Sequence, residues 1–60
     1  MYIIQRTTGA RGYVAMPGSK WSYTMDATKA RKFKTKEEAL SECCPENESV
    51  LKLSDVIRIL

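Results

Sequence analysis

The sequence predicts an α+β domain: a small antiparallel sheet, elements in the order β-β-β-α-β, with one helix packed on a face. Three observations carry this. Short runs rich in aromatic and β-branched residues alternate with Gly and Pro punctuation. One capped helical segment stands past the middle of the chain, and sixty residues are enough for a single domain and no more.

Tyr2-Ile3-Ile4-Gln5-Arg6-Thr7-Thr8 reads as the first strand. Gly9-Ala10-Arg11-Gly12 supplies turn residues, and Tyr13-Val14-Ala15-Met16 follows as the return strand of a hairpin. Pro17-Gly18 stops that strand and turns the chain. Lys20 to Met25 then alternates, Trp21, Tyr23 and Met25 on one side and Lys20, Ser22 and Thr24 on the other, the pattern of a half-buried strand. Asp26 is placed to cap a turn or single helical turn over Ala27-Thr28-Lys29-Ala30. Phe33 stands alone among Lys and Arg as an apolar anchor.

Thr35-Lys36-Glu37-Glu38 is a capping box: the Thr35 hydroxyl accepts from the Glu38 N–H while the Glu38 side chain reaches back. The helix is expected from Lys36 to about Cys44, with Ala39, Leu40 and Cys43 on its buried stripe, and Pro45 ends it. Glu46-Asn47-Glu48 is a polar loop. For the tail from Val50 to Leu60 three readings stay open: one strand bulged near Ser54-Asp55, two shorter strands, or a strand followed by a short helix begun by Ser54.

A domain this short buries only about 60% of its unfolded surface and usually needs a disulfide, a metal or a second copy. Cys43 and Cys44 are adjacent, so their one intrachain pairing is a strained vicinal disulfide. With no His in the chain, one copy lacks the ligands of a tetrahedral zinc site, and no metal or cofactor is expected. Self-association remains. Val56, Ile57, Ile59 and Leu60 form an apolar tail whose open edge would template aggregation, so a homodimer paired through these residues is the expectation.

Hydrophobic residues are 43% and charged residues 28%, values of an ordinary folded domain rather than a disordered one. No apolar run approaches the roughly 20 residues that span a bilayer, so no membrane partner is expected. No secretory signal opens the chain; Met1 reads as the native start and the expected location is the cytoplasm. Charge is segregated. Residues 1–36 carry eight basic side chains against Asp26, and residues 37–60 carry Lys52 and Arg58 against six acidic ones, a net +7 and −4.

Catalysis is disfavoured. General acid–base work at neutral pH usually recruits His, and the Gly9–Gly12 spacing fits neither phosphate-binding glycine pattern. Nucleic-acid binding has a footprint in the five cations of residues 29–36 beside Tyr13, Trp21 and Tyr23. The net charge of +3 is modest for that role. Protein binding leads: Trp, Tyr, Met and Arg are the residues that interface centres favour.

The stretch Ala30-Arg31-Lys32-Phe33-Lys34-Thr35-Lys36-Glu37-Glu38-Ala39, after a Tyr2-Ile3-Ile4 opening and a Trp21 strand, resembles very small phage- and prophage-encoded proteins. In these an A-x-x-F-x-T-x-E-E-A segment leads into the one helix and a final strand completes the sheet. The resemblance covers about residues 1–53. It implies the fold and, for the members with a role, binding and blocking of a host protein, including components of antiviral defence. The expected function is therefore a non-enzymatic inhibitor of a bacterial host protein that works by occlusion in the host cytoplasm. If the target surface is acidic, the contacts are Arg6, Arg11, Trp21, Lys29, Arg31, Lys32 and Lys34. If the target binds nucleic acid, Glu37, Glu42, Glu46, Glu48 and Asp55 serve as phosphate mimics. The alternative function is a small nucleic-acid-binding regulator using the basic run 29–36.

Overall fold

The computed structural model describes residues 1–9 and 12–56. Strand β1 is Tyr2–Arg6, β2 is Tyr13–Val14 and β3 is Tyr23–Thr24. A 3₁₀ turn covers Ala27–Lys29, helix α1 is Lys36–Glu42, β4 is Glu48–Lys52 and a single-turn helix α2 is Leu53–Val56. The strands form one antiparallel sheet in the order β3-β2-β1-β4, so the first strand is central and the α+β expectation holds.

β1 is central because its sequence is apolar on both sides of the pleat. Adjacent residues of a strand point to opposite faces, yet Ile3 and Ile4 are both fully buried. The five-residue ladder with β4 runs from Tyr2↔Lys52 to Arg6↔Glu48. It sets Ile4 beside Val50 on the face where Phe33, Ala39 and Cys43 pack, and Ile3 beside Leu51 on the other. On the opposite side of β1, Gln5 pairs with Tyr13, while Tyr2 and Phe33 exchange two backbone hydrogen bonds of 2.8 Å. The Arg31 N–H also donates to the Val14 carbonyl, and Ala15 bridges Ala30. The segment 30–33 is thus woven into the sheet, with Ala30 and Phe33 buried and Arg31 and Lys32 at the rim.

The turns behave as their residues demand. Met16-Pro17-Gly18-Ser19 is a tight turn closed by Ser19 N–H to Met16 O at 3.0 Å. Gly18 takes φ +86° there, open to glycine at little cost. Asp26 Oδ1 accepts from the Thr28 N–H at 2.9 Å and caps the 3₁₀ turn; Thr35 Oγ1 accepts from the Glu38 N–H at 3.2 Å and caps α1.

Four expectations are corrected. The strand expected over Lys20 to Met25 is only Tyr23–Thr24, and Trp21 and Met25 are 70% and 75% exposed rather than buried. Their alternation is real, but β3 is an edge strand, and α1, about 10 Å long at seven residues, lies over β1 and β4. The second strand likewise stops at Val14, beyond which Ala15 makes only an isolated bridge to Ala30 and donates its N–H to the Ser22 carbonyl.

The helix ends at Glu42, short of Cys44, and Leu40 is 53% exposed. Proline disfavours helical backbone at the residue before it. The i, i+4 pair turned toward the sheet is Ala39 and Cys43, which rotates Leu40 about 100° away. Finally, the last strand starts at Glu48, inside the expected polar loop; it stops at Lys52 and α2 begins at Leu53, which agrees with the reading of a strand followed by a short helix, one residue earlier than Ser54. Of the residues expected to pair two copies strand to strand, Val56 is therefore helical and partly buried, and Ile57, Ile59 and Leu60 lie outside the described residues.

Candidate binding surface

The shortness of β3 leaves an exposed apolar surface at the edge of the sheet. The turn at Pro17-Gly18 delivers Lys20 and Trp21 just before β3, and the Asp26 cap redirects the chain directly after Met25. Between these two bends the edge strand carries an apolar stripe that no helix covers among the described residues. An open depression of about 360 Å³ lies here, lined by Ala15, Trp21, Tyr23 and Met25, with Lys20 and Lys29 contributing the charge. Met16, 50% exposed, stands on the adjoining turn.

The parts of this surface are held from behind. Lys20 Nζ sits 5.6 Å from the centre of the Trp21 ring, within the range of a cation–π contact. The Tyr23 hydroxyl donates to Glu48 Oε2 at 2.5 Å, and the Arg6 guanidinium lies 5.0 Å from the centre of the Tyr23 ring. The bond to Glu48 raises the Tyr23 pKa above its usual value, with burial and the Glu48 charge adding and Arg6 opposing. The other Glu48 oxygen accepts the Cys44 N–H at 2.8 Å. Asp26, which follows Met25, is occupied by Thr28: hydrogen bonds from the Thr28 hydroxyl and N–H lower its pKa below the usual carboxylate range.

The fold divides the residues that sequence reasoning grouped as a contact set. Trp21, Lys29 and Lys34 are exposed, and the first two share the depression. Arg6 is spent on Tyr23, and its Nε, like Asn47 Oδ1, is buried without a hydrogen-bond partner among the described residues. Arg31 stacks on Phe33 at 4.8 Å and stands 4.0 Å from a Glu42 oxygen. Lys32 Nζ donates to the carbonyls of Thr28, at 2.7 Å, and Ala30, at 3.0 Å. Arg11 lies outside the described residues. Among the acidic alternatives Glu37, Glu42, Glu46 and Asp55 are exposed, while Glu48 is the tether just described.

Lys20, Met16 and Met25 belong to the surface but were not grouped with it from the sequence. No local signal marks them, because which strand α1 covers is decided by tertiary packing. No group of three or more His, Cys, Asp or Glu side chains gathers in metal-binding arrangement among the described residues. Cys43 is partly buried, its thiol pKa raised chiefly by burial, then by Glu48 and Cys44; Cys44 is exposed. No described helix is long and apolar enough to cross a membrane. Comparison with protein-family models, curated proteins and solved structures finds no match to this chain.

Proposed function

We propose that this chain is a non-enzymatic, phage-encoded protein that binds a bacterial host protein and inhibits it by occluding a functional surface. The observation that carries the binding reading is Trp21. A domain with only six buried hydrophobic residues among those described leaves its one tryptophan 70% exposed, beside Met25 at 75%. Burying a large apolar side chain is worth about 1.5–3 kcal/mol, so a small core that leaves its tryptophan out forgoes a large stabilising term. Exposed Trp and Met with a basic rim are the composition of an interface centre. The phage origin, and antiviral defence as the kind of target, rest on the resemblance carried by Ala30 to Ala39.

A second reading, a nucleic-acid-binding regulator using the basic run 29–36, draws on the same exposed ring beside Lys20 and Lys29. It is weakened because Arg31 and Lys32 of that run are engaged within the fold. Pairing of two copies belongs to the proposal as well; a full-length protein that sediments as a monomer at micromolar concentration removes that part alone.

The test is a pull-down from bacterial lysate, with and without nuclease, using wild type and Trp21→Ala. A stoichiometric protein that survives nuclease, is lost with Trp21→Ala and loses its own activity on adding the wild-type chain supports the inhibitor. Partners released by nuclease, or nucleic acid alone, favour the regulator.

A further inference from the structure

We propose that the occupant of the Trp21 depression is an acidic protein segment in which carboxylates flank one apolar side chain. The inference rests on the protein-binding reading and names the chemistry of the partner at that same surface.

The first argument is local charge. The charged side chains lining the depression are Lys20 and Lys29, both exposed, and neither forms an ion pair within 4.0 Å among the described residues, though Lys29 lies close enough to Asp26 to help lower its pKa. The nearest acid along the chain, Asp26, has Oδ1 turned onto the Thr28 N–H and hydroxyl, at 2.9 and 2.6 Å. Two cations at the rim of an apolar floor are complemented by two anions around an apolar tip.

The second argument is where the cations sit relative to the floor. Lys20 already lies over the indole, so a carboxylate that pairs with its ammonium is delivered beside the ring, and the side chain next to that carboxylate meets Trp21 and Met25. Met25 adds an unbranched, polarizable thioether that adapts to apolar tips of different shape. The floor itself is set in advance: Tyr23 is held by Glu48 through its hydroxyl and by Arg6 over its ring. Binding therefore need not order the Tyr23 ring, which lowers that part of its entropic cost.

The third argument separates this partner from a nucleic acid. A phosphate backbone is tracked by many cations along a groove, each releasing counterions. Here two cations that would extend the track are engaged elsewhere, Lys32 on two carbonyls and Arg31 beside Glu42 and over Phe33, and the exposed Lys34 and Lys36 do not line the depression. What remains at the depression is two positive charges around an aromatic ring. That is enough for a short acidic segment and too little for a polyanion.

The probe is a synthetic nine-residue peptide with one Leu between two runs of alternating Asp and Glu. Its partners in the experiment are the same peptide with Ser for Leu, the same with Lys for every acid, and a twelve-nucleotide oligothymidylate. Trp21 is the one tryptophan of the chain, so its fluorescence reports occupancy directly. The expected result is a saturable blue shift with the acidic Leu peptide, weakened at least tenfold with Ser for Leu and at least tenfold by Lys20→Gln with Lys29→Gln. The signal should be absent with the basic peptide. No saturable shift with the acidic peptide, a shift unaffected by the double lysine variant, or tighter binding of the oligonucleotide overturns the inference. A host protein captured through Trp21 but indifferent to Lys20→Gln with Lys29→Gln would leave the inhibitor reading standing and remove this one. Capture indifferent to Trp21→Ala would remove the protein-binding reading at this surface itself. Far-UV circular dichroism of each variant, expected to match wild type at these exposed positions, secures the comparison.

Discussion

Tyr23 and Glu48 stand on the two opposite edge strands of the sheet, β3 and β4, and are joined by a hydrogen bond from the tyrosine hydroxyl to the carboxylate. Tyr23 pairs with Val14 and Glu48 pairs with Arg6, so the tie crosses the face above β2 and β1 with the Arg6 guanidinium over the ring. A sheet whose second and third strands are two residues each has few ladder bonds to hold its far edge, and this contact supplements them.

Removing the hydroxyl with Tyr23→Phe should cost about 1 kcal/mol, the net value of such a bond. Glu48→Ala should cost more, because it also leaves the Cys44 N–H without its acceptor. Chemical denaturation of the two variants and their double mutant tests this. Strictly additive losses would sever the link between the two residues.

The same tie sets an alkaline limit. The Tyr23 pKa is raised above 10.0 in the fold, first by the Glu48 hydrogen bond. Its stabilising contribution is therefore whole below pH 10 and is lost as pH rises through the folded value. Cys43, raised above 9.0 by burial, works in the same direction. Asp26 has the opposite sign: lowered below 3.8, it stabilises above that pH and its contribution fades as pH falls through the depressed value. Tyrosinate absorbance should show a late-titrating phase, and Tyr23→Phe should abolish it.

Thr35→Ala should destabilise the domain by about 1 kcal/mol through loss of the α1 cap, while Thr35→Ser or Thr35→Asp should retain most of it. Thermal melts followed by circular dichroism give the comparison. An unchanged midpoint in Thr35→Ala would show that α1 is held by Ala39 packing alone.

Phe33→Ala should be far more damaging. Phe33 is 4% exposed and packs on Ile4 and Ala39, the small buried cluster under α1. Losing a buried Phe costs about 3–5 kcal/mol, comparable with the whole stability of many small domains. The variant is expected to lose its cooperative melt.

The cysteines should separate chemically. Cys44 is exposed, whereas the Cys43 thiol is partly buried and held protonated. Alkylation with iodoacetamide at pH 8, followed by peptide mass spectrometry, should modify Cys44 first. Equal rates at the two positions would contradict the placement of Cys43 against the core.

Local chemistry was readable without the fold. The Pro17-Gly18 turn and the Asp26 and Thr35 caps depend on groups within a few residues of one another. A backbone bond or a fixed φ decides each of them. Tertiary structure decided what covers what. Trp21 and Met25 carry the alternation of a buried strand, and only the placement of α1 over β1 and β4 leaves them in solvent. Arg31 and Lys32 read as a free basic run, and only the insertion of residues 30–33 beside β1 and β2 turns them onto Phe33, Glu42 and backbone carbonyls. The Tyr23–Glu48 tie joins positions 25 residues apart, a pairing no local pattern encodes. Periodicity assigns a side chain to a face; whether that face meets the core depends on which other segment packs on it, and that is settled by burial across the whole chain.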